Sequence, residues 1–138
     1  MDSVVTITLR GQMPSGKGMI QTAVIRGRLM RYPNPRFKAW RVKAFQEMQN
    51  QRGRWPRLEE VARVSVRYYP GDRIRRDVPG IIDALCHLLE YCPVCRKKNK
   101  TCNIPFVADD SLLAHWDWKT MDLDRENPRI EFTIGTCR

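Results

Sequence analysis

Four aspartates are the residues of this chain whose type and placement could do chemistry: Asp77, Asp83, Asp109 and Asp110. Asp77 closes the run DRIRRD at residues 72–77, Asp83 lies six residues on, near the start of an apolar stretch, and Asp109 and Asp110 form a pair ahead of another. The chain around them has a formal net charge of +10. Carboxylates converging in such a field repel one another and any phosphate that the cations attract. A divalent cation, Mg²⁺ or Mn²⁺, resolves the conflict, because it takes a few carboxylate oxygens and leaves positions for phosphate and water. The chemistry that this layout fits is metal-assisted hydrolysis of a phosphodiester. Each aspartate also has a structural use. Asp77 stands where a helix N-cap would, Asp83 could lie on the polar face of a helix, and Asp109-Asp110 could form a turn before a strand.

A second set of donors follows. Cys92-Pro93-Val94-Cys95 and then Cys102 give the spacing C-x₂-C-x₆-C. Two thiolates this close can share one tetrahedral zinc ion, and a structural site needs a fourth ligand. His87 or Cys86, both near the end of the preceding helix, can supply it. The alternative is that Cys86 is buried in that helix and the others are surface thiols. Arg96, Lys97 and Lys98 lie between the cysteines, so a zinc-folded insert at about residues 91–106 would present cations to a polyanion.

Phosphate contacts are expected from Arg73, Arg75 and Arg76 in the basic run, and from Lys17 in the loop PSGKG. That loop lacks the spacing and the following Ser/Thr of a nucleotide-binding P-loop. His115 follows Asp110 by five residues and is a candidate for a general base, and the two histidines lie far from any pattern of a catalytic triad.

The elements that must position these residues are legible from periodicity. Residues 4–9 alternate as a strand. Residues 21–30 read as a strand or an irregular hairpin. Residues 37–51 form a helix, with Phe37, Trp40, Ala44, Phe45 and Met48 at 3–4 spacing. Residues 61–69 alternate as a strand, with Arg63, Ser65 and Arg67 on its polar face. Residues 80–90 form a helix with the apolar stripe Ile81, Leu85, Leu88 and Leu89. Residues 111–121 and 129–134 read as closing strands. The expected class is α+β, a single domain over residues 1–138 with one mixed sheet covered by two helices and a small zinc-binding insert.

Length fits one domain that buries its own core. Charge is uneven: residues 1–76 hold 17 Lys/Arg against 5 Asp/Glu, whereas residues 77–138 hold 8 against 10. A basic half beside a mildly acidic half fits a phosphate-binding surface with an acidic pocket set into it. No segment is apolar enough to span a bilayer. The opening MDSVVTITLR lacks the basic lead-in and apolar run of a signal peptide. A cytoplasmic location is therefore expected, where the five cysteines are thiols or metal ligands rather than disulfides.

At DRIRRDVPGIIDALCHLL, followed by VADDSLL, the chain resembles the RusA family of Holliday junction resolvases, often phage-borne. The family's basic run into D-x-D, its D-A-L-containing helix and its later D-D pair all have counterparts here. VTITLRGQMPSGKG is similar to the family's opening strand and Pro-Ser loop, and VSVRYYPGDRIRRD to its central strand. The resemblance implies a homodimeric, Mg²⁺-dependent endonuclease that cuts opposed strands of branched DNA, a four-way junction. It assigns metal binding to Asp77 and Asp110, with Asp109 as neighbour. Pro79 stands where the family has its second Asp, and Gly80 at the Asn/Gly position. Asp83 falls on the family's helical Lys in one register and on the Asp of D-A-L in another. From the first turns of the helix it could replace the carboxylate missing at Pro79. A non-catalytic DNA-binding protein of the same fold is the alternative, and a zinc-stabilised interaction module a third.

Overall fold

The computed structural model describes residues 4–13, 20–33, 35–73, 78–90, 92 and 104–136. In chain order its elements are β1 (Val4–Arg10), β2 (Ile20–Ile25), β3 (Arg28–Pro33), α1 (Pro35–Gln51), β4 (Ala62–Tyr69), α2 (Val78–Glu90), β5 (Leu113–Thr120) and β6 (Arg129–Thr136). A short 3-10 turn, Asp110–Leu112, leads into β5. The class is α+β, with a mixed four-stranded sheet and two helices. Among the described residues no helix is long and apolar enough to cross a membrane.

Alternation makes the sheet. Ala62, Val64, Val66 and Tyr68 of β4 point into the core, while Arg63, Ser65 and Arg67 are exposed. Val5, Ile7 and Leu9 do the same in β1, and Ile130, Phe132 and Ile134 in β6. The strand order is β1-β6-β4-β5. β6 pairs antiparallel with both β1 and β4, and β5 pairs parallel with β4. A parallel pair needs a long crossover rather than a tight turn, and α2 lies within that crossover. The return from β5 to β6 must pass the end of β4. It is tied there by Met121 N–H donating to Tyr68 C=O at 2.7 Å and Asp124 N–H donating to Pro70 C=O at 2.8 Å. Gly71 sits in the same crossing, where a Cβ would come within 2.7 Å of the Pro128 ring.

Both helices bury one stripe. In α1 the buried residues are Phe37, Trp40, Ala44 and Met48; in α2 they are Gly80, Ile81, Ala84, Leu85, Leu88 and Leu89. Burial of each large aliphatic side chain in α2 contributes roughly 1.5–3 kcal/mol, so a charge at Leu85 would detach the helix. α1 also closes the outer edge of the sheet. Gln51 accepts from Thr8 N–H at 2.7 Å and donates to Thr8 C=O at 2.8 Å, and Glu47 accepts from Arg10 N–H at 3.1 Å. An amide and a carboxylate thus stand in for a neighbouring strand at the β1 edge, which would otherwise template pairing with another chain.

Several expectations need correction. The sheet does not take in the whole strand set: β2 and β3 form a separate two-stranded sheet, and a regular hairpin rather than an irregular one. α1 begins two residues earlier than apolar spacing suggests, at Pro35, because proline suits a first helical turn that has no use for its missing N–H. The closing strand expected from residue 111 begins at Leu113, because the Asp109 side chain accepts from Ser111 N–H and winds the chain into the 3-10 turn first.

Candidate metal centre

The site is built where the chain leaves α2 and where it returns. On return, Pro105, Phe106 and Val107 are buried. Phe106 and Val107 both donate their N–H to Leu89 C=O, at 2.8 and 3.2 Å. Leu58 N–H donates to Phe106 C=O at 2.8 Å, and Ala108 N–H donates to Leu58 C=O at 2.9 Å. Arg52 donates to the carbonyls of Ile104 and Pro105 and lays its guanidinium 4.6 Å from the centre of the Phe106 ring. The segment is therefore fixed against the end of α2 on one side and against residues 52–58 on the other. Two residues after Val107 come Asp109 and Asp110.

Glu90, the last residue of α2, meets them. Its Oε2 accepts from Asp110 N–H at 3.2 Å, and one carboxylate oxygen from each of Glu90, Asp109 and Asp110 lies within 4.8 Å of the others. Asp109 is extended (φ −152°, ψ 144°) and commits Oδ1 to Ser111 N–H at 2.9 Å; Asp110 is exposed. Unit charges this close repel by roughly 1–4 kcal/mol a pair, depending on local screening. Hard oxygen donors in this number fit Mg²⁺ or Mn²⁺, not a thiophilic ion.

Cys86 lies on the same face of α2, one turn before Glu90. Its thiol is pushed up to about 11 by burial first, and then by the negative charges of Asp110, Asp83 and Glu90. Asp83 is thus on the acidic side of α2, exposed, seven residues and about 10 Å along the axis from Glu90. The structure brings Asp109 and Asp110 together and adds Glu90, and it leaves Asp83 outside that group. Glu90 escaped the sequence reading because it ends an apolar helix and belongs to no short motif. The signal was its spacing: it lies two helical turns after Asp83 on the same stripe.

Of the zinc candidates, Cys92 is buried just beyond α2, and Cys86 packs half-buried against the core. His87 is exposed, with Nε2 3.0 Å from Arg41 Nη1. A guanidinium only donates, so His87 Nε2 accepts and its proton sits on Nδ1. Partial desolvation of the ring where it lies against the protein, and then the Arg41 charge, hold its pKa below the usual value, with Glu90 pulling the other way. Cys95 and Cys102 lie outside the described residues, as do Asp77, Lys17, Arg75, Arg76, Arg96, Lys97 and Lys98.

One basic surface among the described residues is the open face of the sheet. Arg63 is in register with His115 of β5, Ser65 with Asp117, and Arg67 with Lys119; all six are exposed. Arg73, beyond the end of β4, is exposed too. A register irregularity between Ala62 and Arg63 leaves Ala114 as the extra residue where the 3-10 turn becomes β5. Trp116 and Trp118 turn to the other face and pack against the core, Trp118 within 6.0 Å of the Tyr68 ring. No protein-family model matches this chain, and no curated protein matches its sequence.

Proposed function

We propose that the chain is a divalent-metal-dependent endonuclease for branched DNA, similar to the RusA family of junction resolvases. The observation that carries the reading is the meeting of Glu90 with Asp109 and Asp110. The aspartate pair stands out in the sequence through its resemblance to the family's D-D motif, and a third carboxylate lies within 4.8 Å of it. Asp110, Glu90 and Asp109 would hold the ion; α2 runs about 18 Å from Val78 to Glu90, so Asp77, which precedes Val78 in the chain, is not counted with them. When bound, the ion supplies Lewis-acid chemistry that offsets the charge developing on a phosphodiester. The protein's own part is to position and attract: the turn is fixed by the Leu89 carbonyl and by Asp109 capping, and Arg63, Arg67, Lys119 and Arg73 draw the DNA backbone.

Two further parts belong to the same reading. A two-fold symmetric junction would be matched by a homodimer in which each copy contributes one acidic group. Zinc held by Cys92, Cys95 and Cys102 would fold the insert. As fourth ligand, His87 would have to give up its Arg41 hydrogen bond to bind through Nε2. Cys86 would have to ionise against three carboxylates.

DNA binding without cleavage is the second reading, favoured by Pro79 in place of the family's carboxylate and by the distance of Asp83 from the group. A synthetic four-way junction separates the two. The first reading expects Mg²⁺-dependent nicking that Asp110→Asn and Glu90→Gln each reduce by 100-fold or more while binding holds or tightens. Binding with no nicking at any Mg²⁺ or Mn²⁺ concentration would establish the second.

A further inference from the structure

The β2–β3 hairpin is the feature that the acidic site does not use. Among the described residues its strands pair with each other and join no other sheet. Six residues in each strand give an arm about 20 Å long. Val24 and Leu29 stand directly opposite each other across the ribbon, 71% and 66% exposed. Arg26 lies at the tip and Arg28 one residue past it, both exposed. The tip has positive φ at both residues, 51° at Arg26 and 76° at Gly27, as the two-residue hairpin turn demands. Glycine takes that conformation without cost, whereas arginine at φ 51° is strained, and asparagine would serve the turn better. A cation therefore stands at the tip against local preference. Residues 20–33 hold three arginines and no acidic residue.

We infer that this hairpin is a DNA-inserting arm, with Val24 and Leu29 as an apolar wedge against unstacked bases and Arg26 and Arg28 on the flanking phosphates. A two-stranded ribbon fits the major groove or an open branch point. Apolar side chains that part base steps are a known way of bending and opening a duplex. The charge selects the occupant. A second copy of this chain would bring the same cationic arm and a net charge of +10, whereas DNA brings the complement. The inference rests on the DNA-binding reading above, but not on cleavage.

The test uses the full chain, a four-way junction carrying 2-aminopurine at the branch, and a linear duplex of the same length. Wild type is expected to raise the fluorescence of the junction probe on binding, by unstacking. The double variant Val24→Ser/Leu29→Ser should lose at least three quarters of that rise with junction affinity within about threefold. Arg26→Gln/Arg28→Gln should lower the slope of log affinity against log salt by about 1.8, the loss of two phosphate contacts. All four positions are exposed, and circular dichroism matching wild type shows that the fold is kept. If wild type binds and both variants match it in fluorescence and salt slope, the arm is refuted and DNA binding stands. If the apolar variant instead changes the oligomeric state in sedimentation, the wedge belongs to self-association and the inference falls. If wild type binds neither DNA, the proposed function and the arm fall together.

Discussion

Cys86 is a built-in reporter of the acidic group. Its thiol is pushed from 9.0 up to about 11, so at pH 8 its thiolate fraction is about 100-fold below that of an ordinary thiol. The thiolate of a weaker acid is the better nucleophile, which returns roughly 6- to 10-fold. Cys86 should therefore alkylate about 10-fold more slowly than an unperturbed cysteine in metal-free buffer. Burial is the largest cause and Asp110 the next. Asp110→Asn should leave the burial and remove the charge, speeding alkylation by about 2- to 5-fold, a part of the tenfold that a full pKa unit would give at a screened, half-exposed site. Mg²⁺, if held by Glu90, Asp109 and Asp110 as proposed, would neutralise the same charge, so it should speed wild type by a similar factor and leave Asp110→Asn unmoved. Mass spectrometry of timed iodoacetamide labelling reads Cys86 separately from the other cysteines. An Asp110→Asn rate equal to wild type, with the fold unchanged, would refute the placement of the turn against α2. The sign with pH follows: the fold favours the neutral thiol, so its stabilising contribution is full below about pH 9 and is lost as pH climbs through about 11.

Other perturbations follow from the packing. Gln51→Ala removes both hydrogen bonds to Thr8 and should cost about 1–2 kcal/mol in urea denaturation, with an increased tendency to self-associate through the uncovered β1 edge. Phe106→Ala should cost about 3–5 kcal/mol, because the ring is fully buried and anchors the return segment ahead of Asp109. His87 should remain neutral at pH values where a free histidine is half charged, visible in its ring proton shifts, and Arg41→Ala should raise its pKa. The same depressed pKa withdraws stability as pH falls below about 6.5, where the unfolded chain takes up the proton first.

How much the sequence discloses depends on the range over which each interaction acts. The alternation in β4 and the apolar stripes of α1 and α2 are local patterns, and each reappears as an element of the structure. The Asp109-Asp110 pair was visible as a candidate because the two are neighbours in the chain. Glu90 is not, because its contact with Asp110 depends on the return of the chain after the insert, fixed where Leu89 accepts from Phe106 and Val107. Asp83 is offered by the sequence as a replacement for the carboxylate missing at Pro79, but helical rise carries it about 10 Å from Glu90. Arg52 follows α1 directly and belongs to no motif in the sequence. Its role in holding Ile104 and Pro105 depends on where the insert returns, which no local pattern encodes.

The most direct measurement is a crystal of the protein soaked in Mn²⁺ and recorded at the manganese absorption edge. The account predicts an anomalous peak between Glu90, Asp109 and Asp110, with carboxylate oxygens of at least two of them at about 2.0–2.3 Å, and loss of that peak in Asp110→Asn. Manganese bound elsewhere on the chain, with these three carboxylates left without an ion at saturating concentration, would contradict it.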